Sequence, residues 1–265
     1  MPLVPDYLKL CEQAARAGAG ELLDWVGRFT VREKGPFDPV TEADLASQEA
    51  IRKVILAACP GHDLIGEEGE DTQAHLGAEY CWVVDPLDGT TNYVHQVPHY
   101  CVSVALLERG RPLVGVIYDP VSDECFSAER AQGATLNGQP IRTSGVTELD
   151  QALIAASFAS RVPFPSAEID QFVALVQKCQ AVRRTGSAAL NLCYVAMGRF
   201  DAFWALSTKA WDVAAGVLLV EEAGGVVTGL DGEPLQLTEP HPVTSASPEL
   251  HEEFCQLLRG AKSLV

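Results

Sequence analysis

The sequence predicts a layered α/β protein with mixed α+β character, in which helices cover the faces of β-sheets. Two amphipathic helical patterns open the chain, at about residues 6–29 and 44–59, and a series of strand-like runs follows. Beyond about residue 145, strand-like runs alternate with helical patterns, which is typical of α/β layering. We therefore expect an N-terminal α+β part over residues 1–145 and a C-terminal α/β part over residues 146–265.

In the first part, apolar spacing and turn residues define the elements. Gly18 and Gly20 weaken the middle of the first helix, and the pair Pro60-Gly61 ends the second. Residues 108–111 (Glu-Arg-Gly-Arg) fit a hairpin turn between two strands. The strand-like runs cover residues 63–66, 80–85, 101–107, 113–118 and 124–128.

The second part combines short strands with longer helices. Its predicted strands cover residues 152–156, 201–204 and 226–227, and a turn lies at Asp231-Gly232. Its predicted helices cover about 168–180, 187–197, 212–223 and 248–259.

Composition and charge exclude several classes of protein. The chain has 265 residues, of which 47% are hydrophobic and 21% are charged, as in an ordinary soluble enzyme. No apolar run approaches the roughly 20 residues that span a bilayer, and the first residues lack a signal-peptide pattern. A net charge of −17 argues against nucleic acid as a partner. The eight cysteines form no C-x-x-C pair, so we expect free thiols and a cytoplasmic protein.

The most informative segment is residues 85–90, Asp-Pro-Leu-Asp-Gly-Thr, which directly follows the apolar run 80–84. We expect the strand to end at Asp85 and the chain to turn, so that the carboxylates of Asp85 and Asp88 point to one spot. Such carboxylates repel each other unless a cation joins them, and Mg²⁺ is bound by a few carboxylates together with phosphate oxygens. The backbone N–H groups of the last two residues provide an anion site.

Three further segments place acids beside predicted elements: residues 34–44, 65–69 and 211–216. Each also has an ordinary structural interpretation. Asp44 and Asp212 could be helix N-caps. The two adjacent acids of 65–69 could be solvated at a strand end, and the Asp-Gly pair of residues 85–90 could be a plain turn. Taken singly, none of these segments identifies a function.

Taken together, the segments resemble the inositol monophosphatase family. The matching residues are Asp85-Pro86-Leu87-Asp88-Gly89-Thr90-Thr91-Asn92-Tyr93, Gly66-Glu67-Glu68, Trp211-Asp212-Val213-Ala214-Ala215-Gly216, and the segments 38–44 and 222–225. They occur in the family's order and with its spacing, over nearly the whole chain. The resemblance implies an αβαβα sandwich of the inositol monophosphatase and fructose-1,6-bisphosphatase type, and a Mg²⁺-dependent, lithium-sensitive phosphomonoesterase that forms a homodimer.

The resemblance also implies a role for individual residues. The implied ligands of two or three Mg²⁺ ions are Glu67, Asp85, the carbonyl of Leu87, Asp88 and Asp212. The implied catalytic residues are Asp44, Thr90 and Glu67, with Asp44 and Thr90 orienting and deprotonating the attacking water. The implied substrate-binding residues are Gly89, Thr90, Gly186, Ala188, Ala205 and Asp212, where Gly89 and Thr90 supply N–H groups to the phosphate. Lys34 matches a loop lysine near the third metal.

Metal ions about 3.5–4 Å apart can activate a water and neutralise a leaving alkoxide, which agrees with direct hydrolysis.

Other phosphate and metal chemistries fit less well. There is no Cys-x5-Arg loop and no G-x-S-x-G elbow, and the spacing of Asp85 and Asp88 is too wide for a haloacid-dehalogenase-type phosphatase. An EF-hand loop would need Glu where Gln96 stands, and no P-loop is present. His95 and His99 lie near this loop in the sequence, but two histidines in a loop are more often surface groups than metal ligands.

The substrate is less defined than the reaction. Inositol-specific relatives carry a Glu seven residues before the Asp of the Trp-Asp motif, whereas this chain has Ala205 there. Lys209 could meet an anionic group or be a simple surface lysine. A small phosphorylated substrate is expected, with inositol 1-phosphate leading. The alternatives are histidinol phosphate, fructose 1,6-bisphosphate, 3′-phosphoadenosine 5′-phosphate and, from another class, a non-catalytic regulatory protein.

Overall fold

The structure is a computed structural model that describes residues 5–35, 38–68 and 76–261. All the helices and strands given below lie in these three stretches. The helices are α1 (Tyr7–Trp25), α2 (Glu42–Ala58), α3 (Thr90–Val94), α4 (Ala167–Val176), α5 (Ala188–Ala196), α6 (Ala210–Glu222) and α7 (Pro248–Gly260). The strands are β1 (Val31–Gly35), β2 (Asp38–Thr41), β3 (Asp63–Gly66), β4 (Tyr80–Asp88), β5 (Cys101–Glu108), β6 (Arg111–Asp119), β7 (Glu124–Glu129), β8 (Gly133–Leu136), β9 (Gln139–Pro140), β10 (Leu153–Ser157), β11 (Ala181–Arg183), β12 (Ala202–Ala205), β13 (Val226–Thr228) and β14 (Val243–Ser245).

The strands form two large sheets and one separate hairpin. The first sheet has the order β3-β4-β5-β6-β7-β8-β9, with only the β3–β4 pair parallel. The second has the order β11-β10-β12-β14-β13, and β10 runs parallel to both of its neighbours. Strands β1 and β2 pair with each other as the hairpin.

Helices separate and cover the two sheets. On one face of the first sheet lie α1 and α2, while α5 and α6 occupy the space between the sheets, and α4 and α7 pack together on the second sheet. Helix α6 approaches the first sheet so closely that a Cβ atom on Gly115 would lie 2.8 Å from the Cα of Ala215. This stacking confirms the predicted layered α/β fold and its αβαβα order.

Strand β4 illustrates why the sequence folds in this way. Its side chains alternate between two cores: Trp82 and Val84 pack with α1 and α2, whereas Cys81 and Val83 pack with α5 and α6. A strand that is buried on both faces needs an unbroken apolar run, and this is what the sequence before Asp85 contains.

Several element predictions need correction. The segment 34–44, predicted as a turn-rich loop, contains the β1–β2 hairpin, although its residues 36–37 lie outside the described residues, as does Gly69 of the segment 65–69. The strand expected to end at Asp85 continues to Asp88. The helix predicted over 168–180 is shorter and is followed by β11, and strands β8, β9 and β14 were not predicted. These strands are short and depend on their sheet neighbours more than on their own sequence.

The division near residue 145 stays a prediction. The first sheet lies before that point and the second after it, but the core between the sheets contains residues from both sides, such as Phe126 and Phe203.

All eight cysteines are free thiols, as expected. In the described stretches, no helix combines the length and apolarity that crossing a bilayer requires.

Candidate active site

The carboxylates of the 85–90 segment are positioned by a β-bulge. Asp85 pairs with Ser103 and Asp88 pairs with Cys101, so two residues of β4 stand opposite one of β5. Leu87 donates its N–H to Asp85 Oδ1 at 3.0 Å and thereby fixes that carboxylate. The bulge therefore brings Asp85 and Asp88 to the same edge of the sheet without the turn expected at Pro86.

Asp88 joins the first sheet to the start of α5. Its Oδ2 accepts hydrogen bonds from Ser187 Oγ at 2.6 Å and from the N–H of Ala189 at 2.7 Å. Ser187 is also the N-cap of α5. The substrate-side segment around residues 186–189 is thus held directly against the predicted metal ligands.

Asp212 lies in the first turn of α6, not at its N-cap. Its Oδ2 accepts the N–H of Lys209 at 2.7 Å, and Ser103 Oγ donates to the carbonyl of Trp211 at 3.2 Å. The start of α6 is therefore tied to β5 beside the bulge. The positive end of the helix dipole favours a negative charge at this position.

Four carboxylates interact in this region, of which Asp85 is fully buried and the other three are half-buried. Burial raises the pKa of Asp85 well above its ordinary value, and the charges of Glu67, Asp88 and Asp212 raise it further. Burial followed by the charges of Asp88 and Glu67 raises the pKa of Asp212 in the same way. For Asp88, burial also raises the pKa, while its hydrogen bonds from α5 oppose the shift. The cluster is therefore short of positive charge.

Lys34 supplies part of that charge. From the hairpin, its Nζ donates to Glu67 Oε1 at 2.6 Å and to Glu68 Oε1 at 2.7 Å. Burial lowers the pKa of Lys34, but the two glutamates outweigh burial and hold it above the ordinary value. The pKa of Glu67 is still raised by burial, which Lys34 only partly offsets.

Asp44 and Thr90 form a pair beside the cluster. Asp44 is 1% exposed, and its Oδ2 accepts the N–H and the hydroxyl of Thr41 at 2.8 and 2.6 Å in a capping box at the start of α2. Thr90 Oγ1 lies 3.4 Å from Asp44 Oδ1 and 3.1 Å from the carbonyl of Leu87. Burial raises the pKa of Asp44 to about 6 against the hydrogen bonds of Thr41. Such a group can accept a proton near neutral pH.

Asn92, which the family motif contained without an assigned role, connects the two sides of the site. Its Nδ2 donates to the carbonyls of His99 at 2.8 Å and Thr185 at 2.9 Å. Gly186 has a φ of +93°, and a Cβ atom there would lie 2.8 Å from Asn92 Nδ2. A glycine is required at this position both by its backbone conformation and by the close approach of the amide.

A cavity of about 710 Å³ opens beside Asp88 and Asp212. Four predicted residues line it: Asp88, Gly186, Ala188 and Asp212. Ala205 does not line it, because its side chain is fully buried in β12. Sequence reasoning gave no role to the lining residues Ser157, Phe158 and Ser160, which lie at the end of β10 and just after it. Arg184 and Ser207 line the cavity as well.

The donor set suits Mg²⁺ in its chemistry. Within the described stretches, no three His, Cys, Asp or Glu side chains are grouped as a complete metal site by themselves. Mg²⁺ seldom uses such a cage; it is usually held by one or two carboxylates, waters and substrate phosphate oxygens. The buried carboxylates raise one another's pKa and all offer oxygen, so they fit this kind of ion.

Comparison with known proteins assigns the family. The model of the inositol monophosphatase family matches residues 6–263. The chain is 43% identical over 246 residues to Nus factor SuhB of Pseudomonas aeruginosa, covering 88% of this chain and 89% of that protein. It is 38% identical over 255 residues to inositol-1-monophosphatase of Synechocystis, covering 95% and 88%.

Solved structures agree with this assignment. The structure of inositol monophosphatase from Anabaena superimposes with a TM-score of 0.86 at 37% identity, and the match covers 97% of each chain. The fold of this chain is thus also found in a protein of experimentally known structure. The chain belongs to the inositol monophosphatase family.

Proposed function

We propose that the protein is a Mg²⁺-dependent phosphatase that hydrolyses a small phosphate monoester to an alcohol and inorganic phosphate, with inositol 1-phosphate as the leading substrate. The observation that carries this proposal is the cluster of Glu67, Asp85, Asp88 and Asp212, of which Asp88 and Asp212 line the cavity, next to the Asp44–Thr90 pair. Membership of the family and the name of the Synechocystis relative support the choice of substrate.

The proposed metal ligands are the four carboxylates and the carbonyl of Leu87, and they would hold two or three Mg²⁺ ions. When bound, Mg²⁺ supplies the positive charge that the cluster lacks and stabilises negative charge on the leaving oxygen. Because burial raises the pKa of these carboxylates, they bind a proton or a cation more readily than they remain as bare charges.

The chain's own residues provide orientation and proton transfer. As the water attacks, one of its protons passes to Thr90 Oγ1 while the proton of Thr90 passes to Asp44 Oδ1, which is 3.4 Å away. Thr41 keeps the other oxygen of Asp44 occupied, so that Oδ1 is the atom that receives the proton. A positioned base of this kind typically contributes about 10²- to 10⁴-fold to the rate.

A side-by-side assay of phosphate release tests the proposal. The substrates are inositol 1-phosphate, histidinol phosphate, fructose 1,6-bisphosphate and 3′-phosphoadenosine 5′-phosphate, each with Mg²⁺ and with EDTA. We expect Mg²⁺-dependent release that is fastest from inositol 1-phosphate. If phosphate were released faster from another of these substrates, inositol 1-phosphate would not be the preferred substrate. If none of the four released phosphate, the proposed activity would be refuted.

A second function is favoured by one observation, the name Nus factor of the P. aeruginosa relative. A regulatory role would not require turnover. A strain that carries Asp85→Asn would distinguish the phosphatase function from the regulatory function. A cellular function that depends on hydrolysis would be lost in this strain, whereas a purely regulatory function would persist. We also propose a homodimer in the cytoplasm, which sedimentation and cell fractionation would measure.

A further inference from the structure

One buried carboxylate near the cavity lies outside the acidic cluster. Glu168, in the first turn of α4, is 6% exposed, and its Oε1 accepts a hydrogen bond from Ser207 Oγ at 2.9 Å. In the described part of the chain, this is the one hydrogen bond or ion pair found for its side chain. A buried carboxylate is costly unless it is bonded, so its contact with a cavity residue calls for a function.

Ser207 is the residue through which Glu168 reaches the cavity. It is exposed, lines the cavity and lies five residues before Asp212, which lines the same cavity. A serine hydroxyl has one proton and two lone pairs. Because its proton is donated to Glu168, the oxygen that Ser207 presents to a ligand is a hydrogen-bond acceptor.

Hydrogen bonds hold the wall of the cavity beside Ser207 together. Ala205, which contributes no polar atom, is paired with Ser157 across the β10–β12 register. Trp204 donates its indole N–H to Gln171 Oε1 at 3.1 Å, and this bond joins β12 to α4, the helix that carries Glu168. The position of the Glu168 carboxylate is thus set before any ligand arrives.

We propose that Ser207 is a substrate-binding residue that accepts a hydrogen bond from a free hydroxyl of the substrate alcohol, with Glu168 as the positioning residue that orients it. This inference rests on the proposed function and narrows its substrate class to phosphate monoesters whose alcohol part carries at least one free hydroxyl. Ser207 is exposed when the cavity is empty, but a bound ligand that covers its oxygen without offering a hydroxyl leaves that oxygen unpaired.

The test compares two ligands with the same ring, inositol 1-phosphate and cyclohexyl phosphate, which lacks the hydroxyls. For Ser207→Ala and Glu168→Ala, we expect kcat/KM for inositol 1-phosphate to fall about 10- to 100-fold, mainly through KM, and kcat/KM for cyclohexyl phosphate to stay within about twofold. The double variant should lose no more than either single variant, and Ser207→Thr, which keeps the hydroxyl, should retain most of the preference.

Glu249→Gln is the matched control, since Glu249 occupies the same first-turn position in α7 but is exposed. It should leave both ligands unaffected. Equal losses for the two ligands in Glu168→Ala, or an unchanged preference in Ser207→Ala, would overturn the inference.

Failure of the inference and failure of the proposed function are distinguishable. If the wild-type protein releases phosphate from neither ligand, the phosphatase proposal fails, and calorimetric binding of the same two ligands with Mg²⁺ then decides the inference. The ratio of the two Kd values should shift about 10-fold or more toward cyclohexyl phosphate in Ser207→Ala. An unchanged ratio would refute the role of Ser207 whether or not the protein is an enzyme.

Discussion

The Asp44→Asn variant should be inactive and, in the absence of metal, more stable than the wild type above neutral pH. Burial raises the pKa of Asp44 from 3.8 to about 6, so the folded protein binds this proton more tightly than the unfolded chain does. The stability that Asp44 contributes is fully present below about pH 4 and is lost as the pH rises through about 6. Asparagine keeps the size of the side chain and has no charge to lose.

The magnitude follows from the shift. A pKa difference of about two units, at about 1.36 kcal/mol per unit, corresponds to about 3 kcal/mol at pH 8. Asp44 is 1% exposed, so solvent screening reduces this value little. The hydrogen bonds from Thr41 are already included, because they lower the pKa against burial.

Urea unfolding in EDTA between pH 4.5 and 8 measures the effect. We expect the free energy of unfolding of the variant to exceed that of the wild type by about 1 kcal/mol at pH 4.5 and by about 3 kcal/mol at pH 8. The control Glu249→Gln changes an exposed first-turn acid and should show no such trend. A difference that is constant with pH, or that favours the wild type at pH 8, would refute the reasoning.

Three further substitutions test single contacts. Lys34→Ala should lower the free energy of unfolding in EDTA by about 1–2 kcal/mol, because Glu67 and Glu68 lose their cation. Added Mg²⁺ should reduce this difference, and unfolding curves with and without Mg²⁺ measure the two values. Asn92→Ala should lower the free energy of unfolding by about 2 kcal/mol and should lower kcat/KM, because two backbone carbonyls lose their hydrogen-bond donor. Unchanged unfolding curves and unchanged kinetics would contradict the bridging role of Asn92. Gly186→Ala should lower the midpoint of thermal unfolding, at a cost of about 1–3 kcal/mol, and raise KM, because its φ is +93°.

Much of the fold was predictable from local pattern. Helices α1 and α2 and strand β4 have strong apolar periodicity or an unbroken apolar run, and the structure contains them within a few residues of the expected bounds. The β1–β2 hairpin was missed because its Pro- and Gly-rich sequence is typical of a loop. Strand β11 has three residues, too few to show a period.

The site was predictable to the extent that it is local in sequence. The 85–90 segment carries two carboxylates directly after an apolar run, and this placement led to the prediction of a metal and phosphate site. Contacts such as Ser187 to Asp88, 99 residues apart, and Ser207 to Glu168, 39 apart, leave no mark in any short window. The fully buried position of Ala205 also depends on the packing of β12 between its neighbours.

Metal binding and turnover measured on the same samples test the central claim most directly. The number of bound Mn²⁺ ions, from electron paramagnetic resonance, and Mg²⁺-dependent phosphate release are compared for wild type, Asp85→Asn, Asp212→Asn and the exposed control Asp150→Asn. We predict two or three ions and full activity in the wild type and the control. The two site variants should bind fewer ions and release phosphate at the background rate, with an unchanged circular dichroism spectrum. An unchanged ion count or undiminished phosphate release in Asp85→Asn and Asp212→Asn would contradict the account.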